Sequence, residues 1–168
     1  MGHFLLTRLL RERIVASAPA RIITVASRAH IFARHIDWDA VQRPTRTLFA
    51  VHEYAVSKLA NVLFSAELGR HLHATAVSTY ALHPGVVNSD IWRSLPSPLR
   101  ALNRLRLISP REGASTTLYC ALDAPAEQTG LYYSDCAVKR PSAVAEDASL
   151  AETLWQRSED WIAQRGYA

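Results

Sequence analysis

The chain is poor in cysteine, poor in lysine and without a long apolar run. Its two cysteines, Cys120 and Cys136, lie apart and in no CxxC pattern. That argues against a disulfide scaffold and a thiolate zinc site, and makes a reducing compartment the default. No stretch approaches the ~18 apolar residues of a membrane span. Six glycines and eight prolines in 168 residues are no enrichment, which excludes a collagen-like or linker-rich chain. The net charge of +4 comes from 19 basic residues, only two of them lysine, against 15 acids. The arginines are scattered apart from one segment, so no nucleic-acid partner is expected. What is present is a hydrophobic fraction of 49% with 20% charged residues. That suits one domain with a real core and is too short for two.

The opening MGHFLLTRLLRERIVASAP carries Glu12 and three arginines. It reads as an amphipathic helix, with Phe4, Leu5, Leu9, Leu10 and Ile14 at helical spacing, and not as a signal peptide. Pro19 ends it. Arg21 to Ala26 (RIITVA) is short, β-branched and apolar, as a strand buried on both faces would be. Residues 28–47 are irregular. A helical pattern follows from about Leu48 to His73, with Val51, Ala55, Leu59, Val62, Leu63, Ala66 and Leu68 as its apolar stripe. Ala76 to Leu82 is a second buried strand, stopped by His83-Pro84-Gly85. Residues 111–123 read as a helix, 130–134 (GLYYS) as a third strand, and about 148–164 as a final helix. Helices alternating with buried strands predict an α/β fold, a parallel sheet of three strands covered on both faces. Cys120 and Cys136 read as small core residues. Trp155 and Trp161 should pack the last helix down, and the seven histidines show no paired metal spacing.

Three features could carry chemistry. Tyr54 and Lys58 lie four apart on the long helix and share a face. An ammonium close to a phenol favours the phenolate and would lower the tyrosine pKa. Ser27 directly follows the first strand, and ligands of open α/β sheets bind beyond the carboxyl ends of strands. It could bond a substrate oxygen or serve only as a cap or loop serine. His83-Pro84-Gly85 occupies the matching place after the second strand, where it is either a ligand-facing turn or a plain one.

In that order, strand–Ser27, helix–YAVSK and strand–HPG resemble the short-chain dehydrogenase/reductase family, and within it the retinol-dehydrogenase-like branch. GHFLLT (2–7), SAPARIITVAS (17–27), YAVSKLANVLFSAEL (54–68), YALHPGVVNSD (80–90), REGASTTLYCAL (111–122) and TGLYYSDC (129–136) carry the resemblance along nearly the whole chain. The resemblance implies a Rossmann-type doubly wound sheet and hydride transfer between NAD or NADP and a small-molecule alcohol or carbonyl, with a lipophilic substrate favoured by the branch. It implies roles for Tyr54 as general acid/base, for Lys58 as the residue holding the nicotinamide ribose, and for Ser27 as the group orienting the substrate oxygen. It gives Pro84, Gly85, Val87 and Ser89 the nicotinamide carboxamide. Ser89 stands where many members have threonine, and Ala26 replaces the first serine of the usual pair.

The family's opening strand and TGxxxGxG turn, which cradle the cofactor pyrophosphate at a helix N-terminus, have no counterpart here. The glycines are Gly2, Gly69, Gly85, Gly113, Gly130 and Gly166, no two of them close. The NNAG segment and the asparagine that completes the catalytic tetrad are missing as well. The expectation is a single incomplete domain (1–168), the C-terminal catalytic portion of such an enzyme. The other reading is an inactive fragment, or an interaction module that pairs with full-length subunits. A homo-oligomer is possible, since helices equivalent to 1–17 and 48–73 commonly form dimer interfaces in the family. Ile91 to Arg106, apolar on one face and arginine-rich beside it, is a candidate substrate lid with peripheral membrane contact, or a plain covering helix. Localisation is left open, because members of the branch often carry an N-terminal membrane anchor.

Overall fold

The computed structural model describes residues 1–45, 50–87 and 108–166. Helix α1 spans Gly2–Ala16 and leads through Pro19 into strand β1, Ala20–Val25. Helix α2, Val51–His71, crosses to strand β2, Val77–His83. Helix α3, Pro110–Leu122, crosses to strand β3, Tyr132–Ser134. A two-residue strand β4, Ala137–Val138, and helix α4, Ala148–Ala163, complete the order. The sheet runs β1-β2-β3-β4. The β1–β2 and β2–β3 pairs are parallel, as expected.

Among the described residues the expected three strands become four. β4 folds back antiparallel on β3 through Asp135 and Cys136, at φ 55° and 56°. Two consecutive left-handed residues are what a two-residue hairpin turn requires. Cys136 is therefore a half-buried turn residue, a correction to its core assignment, whereas Cys120 is fully buried. Burial pushes the Cys120 thiol up to about 11, which suits an inert core side chain.

Both faces of the sheet are covered. Along β2, Val77 and Ala81 join the clusters built on α2 and α4, while Tyr80 and Leu82 pack with Cys120, Ala124 and Tyr133 on the α3 side. Alternation along the strand thus feeds two separate cores, the pattern of a parallel sheet between helical layers. Trp155 of α4 meets Phe4 edge-on at 4.8 Å and stacks on His71 at 4.2 Å, pinning α4 across α1 and α2. The α1 stripe is only partly used. Phe4 is buried, but Leu9 and Leu10 are 67% and 45% exposed. Among the described residues no helix is long and apolar enough to cross a membrane.

Gly69 lets α2 lie close on the sheet. A Cβ there would stand 2.9 Å from Thr79 Oγ1 and 3.2 Å from the Gly130 Cα. The second neighbour is backbone and gives little. Gly69→Ala is expected to destabilise by about 1–3 kcal/mol through overpacking, partly offset by the ~1 kcal/mol helix-propensity gain of alanine. Urea unfolding of both chains measures the difference.

Candidate active site

Ser27, Lys58, His83 and Pro84 gather at one end of the sheet because β1 and β2 are parallel and in register. Val25 pairs with Leu82, and the Ala26 N–H donates to the Leu82 carbonyl at 2.8 Å. Ser27 and His83-Pro84 therefore leave the sheet side by side. His83 in turn pairs with Ser134 of β3.

Ser27 is half-buried and caps a 3₁₀ turn, Arg28–Phe32. Its Oγ accepts the Ala29 N–H at 3.2 Å. The cap function and the catalytic function are compatible, because that bond occupies a lone pair and leaves the hydroxyl proton for another acceptor.

Lys58 and Tyr54 do share a face of α2, with Nζ 5.5 Å from the centre of the Tyr54 ring. The ammonium lies over the ring. Its hydrogen bond goes to the Val25 carbonyl at 3.2 Å, an acceptor that Asn61 Nδ2 also reaches at 3.2 Å. Lys58 thus anchors the N-terminal half of α2 to the end of β1, two residues before Ser27. Burial lowers its pKa. Asn61 was not singled out from the sequence, although its place one turn beyond Lys58 was the available signal. His3 of α1 lies on the same side. Its pKa is lowered by burial and next by the Lys58 charge.

Pro84, Gly85 and Val87 form the turn after β2. Gly85 has φ +88°, and a Cβ there would run into Ile108. Gly113 of α3 lies so close that a Cβ would meet the Val87 side chain. The Ile108 N–H donates to the Val86 carbonyl at 3.0 Å. Two glycines and one backbone bond therefore press the turn against α3. Ser89 and the segment Ile91 to Arg106 lie outside the described residues.

Behind these groups sits a buried polar layer. His30 and His83 are 1% and 7% exposed, and Tyr132 is 5% exposed. The His83 Nδ1 and Tyr132 hydroxyl atoms are buried without a hydrogen-bond partner among the described residues. Burial is the leading cause that lowers the pKa of both histidines, and it raises that of Tyr132 to about 12. The folded state therefore favours neutral imidazoles. Their contribution to stability is present above the ordinary histidine value of 6.5. It is lost as the pH falls through the lower folded values. Thermal melts from about pH 8 to about pH 5 should show a falling Tm below roughly 6.5, and a flat profile would contradict this.

A cavity of about 420 Å³ opens on the other side of Lys58, between α1, residues 36–45, α2 and α4. Trp38, Trp155, Trp161 and Phe4 line it together with Lys58 and Arg157, but Ser27 and Tyr54 do not.

The sheet is a mostly parallel α/β sheet between helical layers, the architecture of part of a Rossmann-type domain, with its candidate groups at the carboxyl ends of parallel strands. Human dehydrogenase/reductase SDR family member 13 is 44% identical over 165 residues, covering 94% of this chain and 44% of that protein. Human retinol dehydrogenase 12 is 45% identical over 166 residues, covering 94% of this chain and 50% of its own length. A crystal structure of an uncharacterised protein from Mycobacterium paratuberculosis superposes with TM-score 0.62 and 28% identity, over 92% of this chain and 56% of that one. No protein-family model matches. The chain is thus similar, along nearly all of its length, to short-chain dehydrogenase/reductases and to their retinol-dehydrogenase branch. It spans about half the length of the curated relatives it matches.

Proposed function

We propose that the chain supplies the substrate-side half of an NAD- or NADP-dependent oxidoreductase that interconverts an alcohol and a carbonyl, with a lipophilic substrate. The observation that carries this reading is the convergence of Ser27, Lys58 and the Pro84–Val87 turn at the ends of adjacent parallel strands. The sequence similarity names the same chemistry in longer proteins. The residues fit a nicotinamide cofactor on its reactive side. Lys58 is a half-buried cation beside the end of β1, and the turn from Pro84 to Val87 leaves β2 next to Ser27. When bound, the nicotinamide supplies or takes up the hydride. Tyr54 would give a proton to the carbonyl oxygen in reduction and take it back in oxidation. The Ser27 hydroxyl would donate to that oxygen and fix its orientation. Lys58 would hold the ribose beside the Tyr54 ring.

The test is a chimera in which the cofactor-binding half of retinol dehydrogenase 12 precedes this chain, assayed with NADH and NADPH on a long-chain aldehyde. Turnover supports the reading, and a folded chimera that binds cofactor without turnover overturns it. In that protein Lys58→Ala should weaken cofactor binding and lower kcat together, because the residue acts on both ribose and tyrosine. The 168-residue chain alone should bind either cofactor weaker than micromolar in isothermal titration. It carries the nicotinamide side but no glycine-rich turn, and the remote binding energy that holds the reactive ring is missing.

A further inference from the structure

His30 is bonded at both ring nitrogens, and its two partners have opposite characters. Nδ1 lies 2.7 Å from the Ser27 carbonyl oxygen. The Ser142 backbone N–H points at Nε2 from 3.1 Å. A carbonyl can only accept and an amide N–H can only donate. A single protonation state satisfies both, the neutral ring with its hydrogen on Nδ1. A proton on Nε2 would set N–H against N–H. The Tyr132 ring meets the imidazole edge-on at 4.9 Å and 68°, so the ring is held in place as well as bonded.

These bonds bear directly on Ser27. Its carbonyl oxygen accepts from the His30 ring and also from the His30 backbone N–H at 3.2 Å. Its Oγ accepts from Ala29. The far end of the link, Ser142, is 112 residues away along the chain. It opens the short 3₁₀ turn Ala143–Glu146 that leads into α4.

We propose that His30 is the positioning residue of Ser27, a neutral Nδ1-protonated imidazole that ties the Ser27 backbone to Ser142 and so lets the C-terminal segment set the aim of the Ser27 hydroxyl. The importance of that aim rests on the function proposed above. His30 itself is buried, 1% exposed.

The hydrogen-bond arrangement can be tested in the 168-residue chain without any assay of turnover. Long-range proton–nitrogen NMR near neutral pH should show the His30 Nδ1 protonated and Nε2 bare. Amide exchange at Ser142 should be at least about tenfold faster in His30→Phe, which keeps the ring bulk and loses both bonds. His30→Gln offers one donor and one acceptor on a carboxamide, and its Ser142 exchange should stay within about threefold of the parent. An Nε2-protonated ring in the parent would overturn the proposal. So would Ser142 exchange that is unchanged in His30→Phe, or equally fast in both variants, since either result leaves His30 with a packing role only. If His30→Phe does not fold, the parent tautomer and His30→Gln still decide. Failure of the functional reading shows elsewhere. Ser27→Ala with undiminished turnover in the chimera would remove the catalytic role of Ser27 and leave the His30 bonds as they are.

Discussion

Tyr54→Phe is expected to lower kcat by about 10²–10⁴-fold in the chimera, the range of a single positioned proton-transfer group, while cofactor affinity changes little. In free energy this is about 3–5 kcal/mol of lost transition-state stabilisation. The substitution deletes one hydroxyl and keeps the ring that Lys58 lies over. Tyr54 is 38% exposed, so removal of its hydroxyl leaves no large buried defect and folding should be almost unchanged. Ser27→Ala and Lys58→Ala touch more than chemistry, because Ser27 caps a turn and Lys58 bonds the end of β1. Tyr54→Phe is therefore the cleanest of the three. Steady-state kinetics with a matched thermal melt would measure it. A loss under about tenfold with an intact fold would remove Tyr54 from the acid/base role.

The elements that periodicity could reveal were legible in the sequence. RIITVA and AVSTYAL form β1 and β2 because short β-branched apolar runs suit a sheet covered on both faces. The long helix is found at Val51–His71 because its apolar residues repeat at helical spacing. β4 was not legible. It is two residues long, and Asp135 and Cys136 take a left-handed turn without glycine. The exposure of Leu9 and Leu10 was not legible either, since a helical pattern states which residues share a face and not whether a partner covers it. Within the site, Tyr54, Lys58, Ser27 and the Pro84 turn were named from order and spacing. The target of Lys58 was not, because the Val25 carbonyl becomes available only once β1 has an open side. The His30–Ser142 bond joins positions 112 apart and has no local signature.

That open side of β1 leads to the second large effect, self-association of the isolated chain. In a parallel strand each residue points its N–H and C=O to the same side, and the side alternates. The N–H groups of Ala20 and Ala26 donate to the carbonyls of Ala76, just before β2, and of Leu82 in β2. Arg21, Ile23 and Val25 therefore direct theirs away from β2, and among the described residues β1 ends the sheet on that side. Among the described residues, Lys58 and Asn61 satisfy only the Val25 carbonyl there. Leu6, Leu9 and Leu10 of α1 add an exposed apolar surface. An uncovered edge with apolar side chains recruits other strands. Size-exclusion chromatography with light scattering is expected to show dimers or larger species that grow with concentration. Val25→Pro removes one N–H of the open edge and leaves the ladder to β2 intact, since Val25 does not donate to that strand. It should shift the distribution towards the mass of one chain, while Val51→Pro, at the exposed start of α2, should not. A sharp monomer at high concentration in the parent chain would mean that the edge of β1 is covered in solution. Unchanged association in Val25→Pro would place the contact on the leucines of α1 instead.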